Sequence, residues 1–182
     1  MNKKQFYEKY IILAENQGST ISESTVTPEQ INTLEQKYHL KMPQEYKDFI
    51  SAAAHNITTL NGLMDDLYCE DDVEVELEIP AQPLNNELSE IDELFSGSER
   101  YIHAGYLPLG EMDGAYLLCL DTGMDGIFIK YFDHEWCLDH DFTTREEFES
   151  DGIMVFDRFE DFISCFFEGK KYDASRCEKY NE

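Results

Sequence analysis

Basic residues are scarce in this chain of 182 residues: fourteen Lys and Arg stand against thirty-nine Asp and Glu, for a net charge of −25. A chain so negative repels polyanions, which argues against direct binding of nucleic acid and of an anionic membrane surface. Long apolar runs are missing as well. They last a few residues, as in Tyr116-Leu117-Leu118-Cys119-Leu120, where a bilayer span needs roughly 20. Lys3 and Lys4 are followed by Glu8, Lys9, Glu15 and Asn16 instead of the apolar core of a signal peptide, so a cytoplasmic protein is expected. The five cysteines (Cys69, Cys119, Cys137, Cys165 and Cys177) are odd in number, and none forms a C-x-x-C pair. That argues against a disulfide framework and a zinc knuckle, and for free thiols. The phosphate loop G-x-x-x-x-G-K-[ST] and the nucleophile elbow G-x-S-x-G are both absent. What is present is 42% hydrophobic and 13% aromatic, enough to bury the core of one domain.

Helical spacing runs through residues 2–16, where Phe6, Tyr7, Tyr10, Ile11, Leu13 and Ala14 precede the punctuation of Gly18 and Ser19. The clearest helix spans 27–39. Thr27 caps it, Pro28 takes the first turn, Gln30 completes a capping box, and Ile31, Leu34 and Tyr38 line one face. Leu40-Lys41-Met42-Pro43 breaks it, because a residue before proline avoids the helical region. Pro43 then opens a second helix with Tyr46, Phe49, Ile50 and Ala53 on one side. Residues 48–99 carry no Lys or Arg and fourteen Asp and Glu. Within them Val73-Glu74-Val75-Glu76-Leu77-Glu78-Ile79 alternates strictly, the pattern of a half-buried strand with a carboxylate face, ended by Pro80 and Pro83. Leu84 to Phe95 reads as a further helix. Residues 101–136 read as a β-meander, with Tyr106–Leu109, Ala115–Leu120 and Ile127–Phe132 as strands and turns at Gly110–Gly114 and Asp121–Gly126. A closing helix at 157–168 takes Asp157 and Glu160 as its box, a stripe of phenylalanines as its face, and Gly169 as its C-cap.

Several clusters invite chemistry. Asp133 to Asp141 gathers two histidines, a cysteine and four carboxylates, yet matches no metal-site spacing such as H-E-x-x-H, and reads as an acidic loop after a strand. Asp121–Gly126 has the look of a calcium loop, but the third and twelfth positions hold Gly123 and Phe132 where oxygen ligands belong, so a hairpin turn is expected. Cys137 near His134 and His140 is adjacency in sequence, not triad geometry. Among thirty-nine carboxylates no glycosidase pair stands out. No metal, no cofactor and no catalytic residue is therefore assigned. Trp136, the single tryptophan, is a candidate binding anchor beside an acidic segment.

The order of these pieces resembles a family. Thr27-Pro28-Glu29-Gln30-Ile31-x-x-Leu34-Glu35-x-x-Tyr38-x-Leu40-x-Met42-Pro43-x-x-Tyr46-x-x-Phe49-Ile50 resembles the opening motif of the SUKH superfamily, with Met42 where leucine is usual before the proline. Tyr106–Gly110, Leu118-Cys119-Leu120-Asp121, Tyr131-Phe132-Asp133-His134-Glu135 and the final helix resemble its later motifs, so the likeness covers about residues 20–168. Ala54-His55-Asn56-Ile57 replaces the glycine-containing turn common after the second helix, and the insert at about 63–100 is longer and more acidic than usual. The resemblance implies an α+β domain, an antiparallel or mixed sheet flanked by helices, at 20–168. A helical extension (1–19) would precede it and a polar tail (169–182) follow. It also implies a non-catalytic bacterial immunity protein that binds and neutralises a cognate polymorphic toxin. The alternative it offers is a regulatory scaffold for endogenous proteins, as in fungal cell-wall synthesis. A nuclease toxin is basic because it holds a polyanion, so an acidic chain suits a basic toxin domain. The expected contacts are Asp65, Asp66, Glu70, Asp71, Asp72, Glu74, Glu76 and Glu78, with Trp136 as anchor.

Overall fold

A computed structural model describes residues 1–57, 59–65, 74–80, 88–112, 116–123, 128–156 and 158–171, with residues 59, 64–65, 74–80, 111–112 and 128–131 described by backbone alone. Helix α1 (Lys3–Gln17) begins at a reciprocal box, in which the Asn2 side chain accepts from the Gln5 N–H and Gln5 accepts from the Asn2 N–H. It ends at Gly18, whose φ of 64° fits a residue without a Cβ. Strand β1 (Ile21–Glu23) follows, then α2 (Pro28–Lys37) with the Thr27–Gln30 box, and α3 (Gln44–Ile50). The helical periodicity had extended α3 to Ala53. Instead Ala53–His55 forms β2, which pairs antiparallel with β1 in a small sheet of its own. The helix stops because Ser51 turns its hydroxyl back onto the Lys47 carbonyl, 2.7 Å away.

Among the described residues the main sheet has six strands in chain order, β3 (Thr59–Asp65), β4 (Glu74–Pro80), β5 (Tyr106–Met112), β6 (Tyr116–Asp121), β7 (Phe128–Asp133) and β8 (Ile153–Phe156), and every pairing in it is antiparallel. The fold is therefore α+β, and among the described residues every sheet is antiparallel. Strand β5 runs past the expected turn at Gly110. A register shift between Pro108 and Gly110 absorbs the proline, which has no N–H for the ladder, and pairing then resumes through Met112. Strand β6 lies inside the sheet, and its unbroken apolar sequence follows from that. Leu118 and Leu120 enter one core while Leu117 and Cys119 enter another.

Those two cores lie on opposite faces. On the first face, α1, α2, α3, α4 (Ser89–Gly97) and α8 (Phe159–Glu168) bury Phe6, Tyr10, Leu34, Phe49, Phe95 and Phe162 among others against the sheet. On the second, α5 (Glu99–His103), α6 (His134–Asp139) and α7 (Arg145–Glu149) supply Tyr101, Cys137 and Phe148 around Tyr106 and Phe132. Helix α6 corrects the reading of 133–141 as a loop: Asp133 caps it by accepting from the Trp136 N–H at 2.9 Å. Helix α8 starts at Phe159 with Arg158 before it and no side-chain cap, while Gly169 ends it at φ 60° as its sequence implies. The expected cap Asp157, the turn residues 113–115 and 124–127, residues 84–87 and the tail beyond 171 lie outside the described residues. Cys119, Cys137 and Cys165 are free and buried.

Candidate functional site

Asp65 and Glu74 end the β3–β4 hairpin as register partners. Glu76 stands opposite Leu63, and Glu78 opposite Asn61. Glu78 is also the partner of Glu111 on β5, and Glu111 is the partner of Leu117 on β6. Antiparallel partners share a face of their sheet. The register thus assigns positions 74, 76, 78 and 111 to the face of Asn61, Leu63 and Leu117. That face carries α5, α6 and α7 over its β5–β7 part. At the β3–β4 end Asn61 and Leu63 are exposed, Leu63 by 42%. Asp66, Glu70, Asp71 and Asp72 lie outside the described residues.

Trp136 projects from α6, on that same side of the sheet, and is 46% exposed. Its indole rests on the His140 ring, and His140 Nδ1 donates to the Trp136 carbonyl at 2.8 Å. Arg100 donates to the carbonyls of His140 (2.6 Å) and Phe142 (3.0 Å), which pins the segment after α6. A large apolar ring held rigid yet half exposed has the character of an interface anchor. Helix α6 packs on β6 and β7, so Trp136 and the carboxylate row occupy different parts of one side, separated by about two strands or roughly 10 Å. Sequence spacing had no means of placing them together, since sixty-odd residues separate them.

Other candidate groups serve the scaffold. Asp121, fully buried, accepts with both carboxylate oxygens from a single Arg145 nitrogen, Nη2 (2.7 and 2.8 Å). Arg145 also stacks on Tyr106 and reaches Glu149 at 2.9 Å. This pair overturns nothing in the reading of 121–126 as a turn, but it was invisible in the sequence, because Arg145 arrives from α7. His134 Nδ1 and the Tyr101 hydroxyl share a hydrogen bond of 3.1 Å. Burial raises the Cys137 thiol to about 11 and Cys165 to about 12, which suppresses thiolate at neutral pH. Among the described residues no group of three or more His, Cys, Asp and Glu is arranged to hold a metal ion, and no helix is long and apolar enough to cross a membrane.

The sequence model of the SMI1 / KNR4 family (SUKH-1) matches residues 25–165. The chain belongs to that family. Comparison with curated proteins returned no match, and neither did comparison with solved structures. SUKH membership supports a role as an immunity protein or as a regulator of the SMI1/KNR4 kind, acting through protein contacts in a family that is generally non-catalytic. The residues that carried the resemblance fit that picture. Leu34, Tyr38, Met42, Tyr46, Phe49 and Ile50 are core. Glu35 accepts from the Met42 N–H at 2.7 Å and pairs with Lys47 at the same distance, which locks the break between α2 and α3. These motif residues therefore build the framework.

Proposed function

We propose that this SUKH protein is an immunity protein that binds a cognate polymorphic toxin and blocks it by occupying a basic surface. The observation that carries the reading is the acidic side of the β3–β4 region: a stretch, 48–99, without a single Lys or Arg, whose positions 74, 76 and 78 share a sheet face, by register, with position 111 of β5 and an exposed Leu63. An immunity protein has to reach its toxin before the toxin reaches its substrate, and complementary fields raise association rates by orders of magnitude. A toxin that acts on nucleic acid is basic where it holds that substrate, so an acidic partner fits the same groove. Trp136, on the same side, supplies an apolar anchor of the kind that concentrates binding energy.

The test is a titration of the purified protein against the toxic domain encoded beside it, with toxicity assayed in parallel. Tight binding that abolishes toxicity supports the proposal. Absence of binding to an active, folded toxin domain overturns it and leaves the regulatory role of the family.

A further inference from the structure

Strand β3 is an outer strand of the six-stranded sheet and pairs with β4 along its whole length, from Thr59↔Pro80 to Asp65↔Glu74, without a register shift. Among the described residues no backbone hydrogen bond from outside the sheet reaches it. Edge strands of soluble proteins are ordinarily kept short, bulged, or protected by lysine or proline, because their free N–H and C=O groups template a further strand. None of these devices is present in Thr59-Leu60-Asn61-Gly62-Leu63-Met64-Asp65. The opposite edge, β8, has four residues against the seven of β3. One flank of β3 is closed by α8, which lies so near that a Cβ on Gly62 would stand 3.2 Å from Cys165 Cβ and from Phe166 Cε1. The other flank shows Asn61 and Leu63 to solvent.

We infer that the β3 edge accepts an extended basic segment of the partner as a seventh strand, with Lys or Arg at alternate positions on the face of the 74, 76, 78 and 111 row. Main-chain pairing supplies affinity in this mode, and alternate side chains supply specificity. The inference rests on the reading of the chain as a binder of a basic partner. Charge selects the occupant. A second copy docked edge to edge would bring two chains of −25 and two such rows together, whereas a cationic strand beside β3, two strands or about 10 Å from β4, is drawn to the field of the row.

The probe is a synthetic peptide of about ten residues alternating Lys and Val, compared with the same peptide N-methylated throughout, which keeps the charge and loses every donor. Titration into the full chain is expected to show the unmethylated peptide binding at least about tenfold tighter, with hydrogen exchange slowed at the β3 amides. The Asn61→Lys, Leu63→Lys variant, altered only at exposed positions, is expected to lose that preference. Equal binding of the two peptides, or binding of neither, overturns the inference. So does a concentration-dependent dimer with protected β3 amides, which would assign the edge to a second copy. Toxin neutralisation by a protein that ignores N-methylation would leave the immunity reading standing and remove the strand pairing.

Discussion

His55 ends β2 with its ring stacked on Tyr10, 4.7 Å between centroids, and its Nδ1–H donating to the Ile57 carbonyl at 3.1 Å. Its other nitrogen, Nε2, is buried and has no hydrogen-bond partner among the described residues, so a proton there would be poorly solvated. Burial lowers the pKa to about 4, against the opposing pull of the Ile57 carbonyl. The unfolded chain takes up that proton near pH 6.5 and the folded chain only near 4. Stability contributed by neutral His55 is thus complete above pH 6.5 and is lost as pH falls toward 4, by at most about 3 kcal/mol. Urea unfolding of wild type and His55→Gln as a function of pH is expected to show the wild type losing its margin through that window. Parallel profiles would refute this account. Arg145 presents the opposite case, a charge the fold depends on. A Cβ at Gly123 would overlap its guanidinium, so that position needs glycine for close approach. Arg145→Met strips the buried Asp121 of its cationic partner and is expected to cost about 3 kcal/mol in urea unfolding. Arg145→Lys should recover only part of it, because an ammonium does not reproduce the planar guanidinium stacked over the Tyr106 ring. A loss under about 1 kcal/mol for Arg145→Met would mean that the pair is solvated and dispensable.

Two glycines make the packing of elements testable with opposite signs. Gly62 lets α8 settle onto β3, and Gly62→Val is expected to lower stability by about 1–3 kcal/mol by pushing Cys165 and Phe166 away. Gly97 ends α4 with nothing within 4 Å of where a Cβ would stand, and Gly97→Ala is expected to raise stability by about 0.5 kcal/mol through the unfolded chain's lost freedom. Thermal unfolding of both variants checks the pair, and equal shifts would defeat it. Elements with local signals were legible in advance. The Thr27–Gln30 box started α2, Gly169 stopped α8, and the alternation at 73–79 gave β4 within one residue. Helix α7 lies outside the periodicity-based elements, although Thr144 and Glu147 form the same reciprocal box as α2, a signal present in the sequence. Strands β1 and β2 had no such signal. Three residues each, they gain their pairing from partners more than thirty positions away, such as Ile21 and His55. Helix α6 was hidden by its own composition, since a carboxylate-rich segment reads as solvated loop until Asp133 is seen to cap it.

At the scale of the whole molecule the dominant fact is charge, and the sequence made it plain without locating it. Strand alternation marked Glu74, Glu76 and Glu78 as one face. Only the sheet register shows that Glu111 joins their row and that Trp136 looks out from the same side. A net charge of −25 would hasten any encounter with a basic partner whatever its placement, so a salt effect alone does not identify the contact surface. The discriminating experiment changes the net charge by the same amount at two different places. Glu74→Lys, Glu76→Lys and Glu78→Lys together change the charge as much as Glu8→Lys, Glu15→Lys and Glu29→Lys, which are exposed on α1 and α2 across the sheet. Stopped-flow association with the toxin domain at about 0.1 M salt is expected to slow at least about tenfold for the first set and several-fold less for the second, because at that ionic strength charges separated from the contact by more than about 10 Å are screened. Both sets should approach wild-type rates near molar salt, where the screening length shrinks to about 3 Å. Equal slowing by the two sets would mean that the partner answers to total charge, and the β3–β4 side would lose its claim to be where the partner binds.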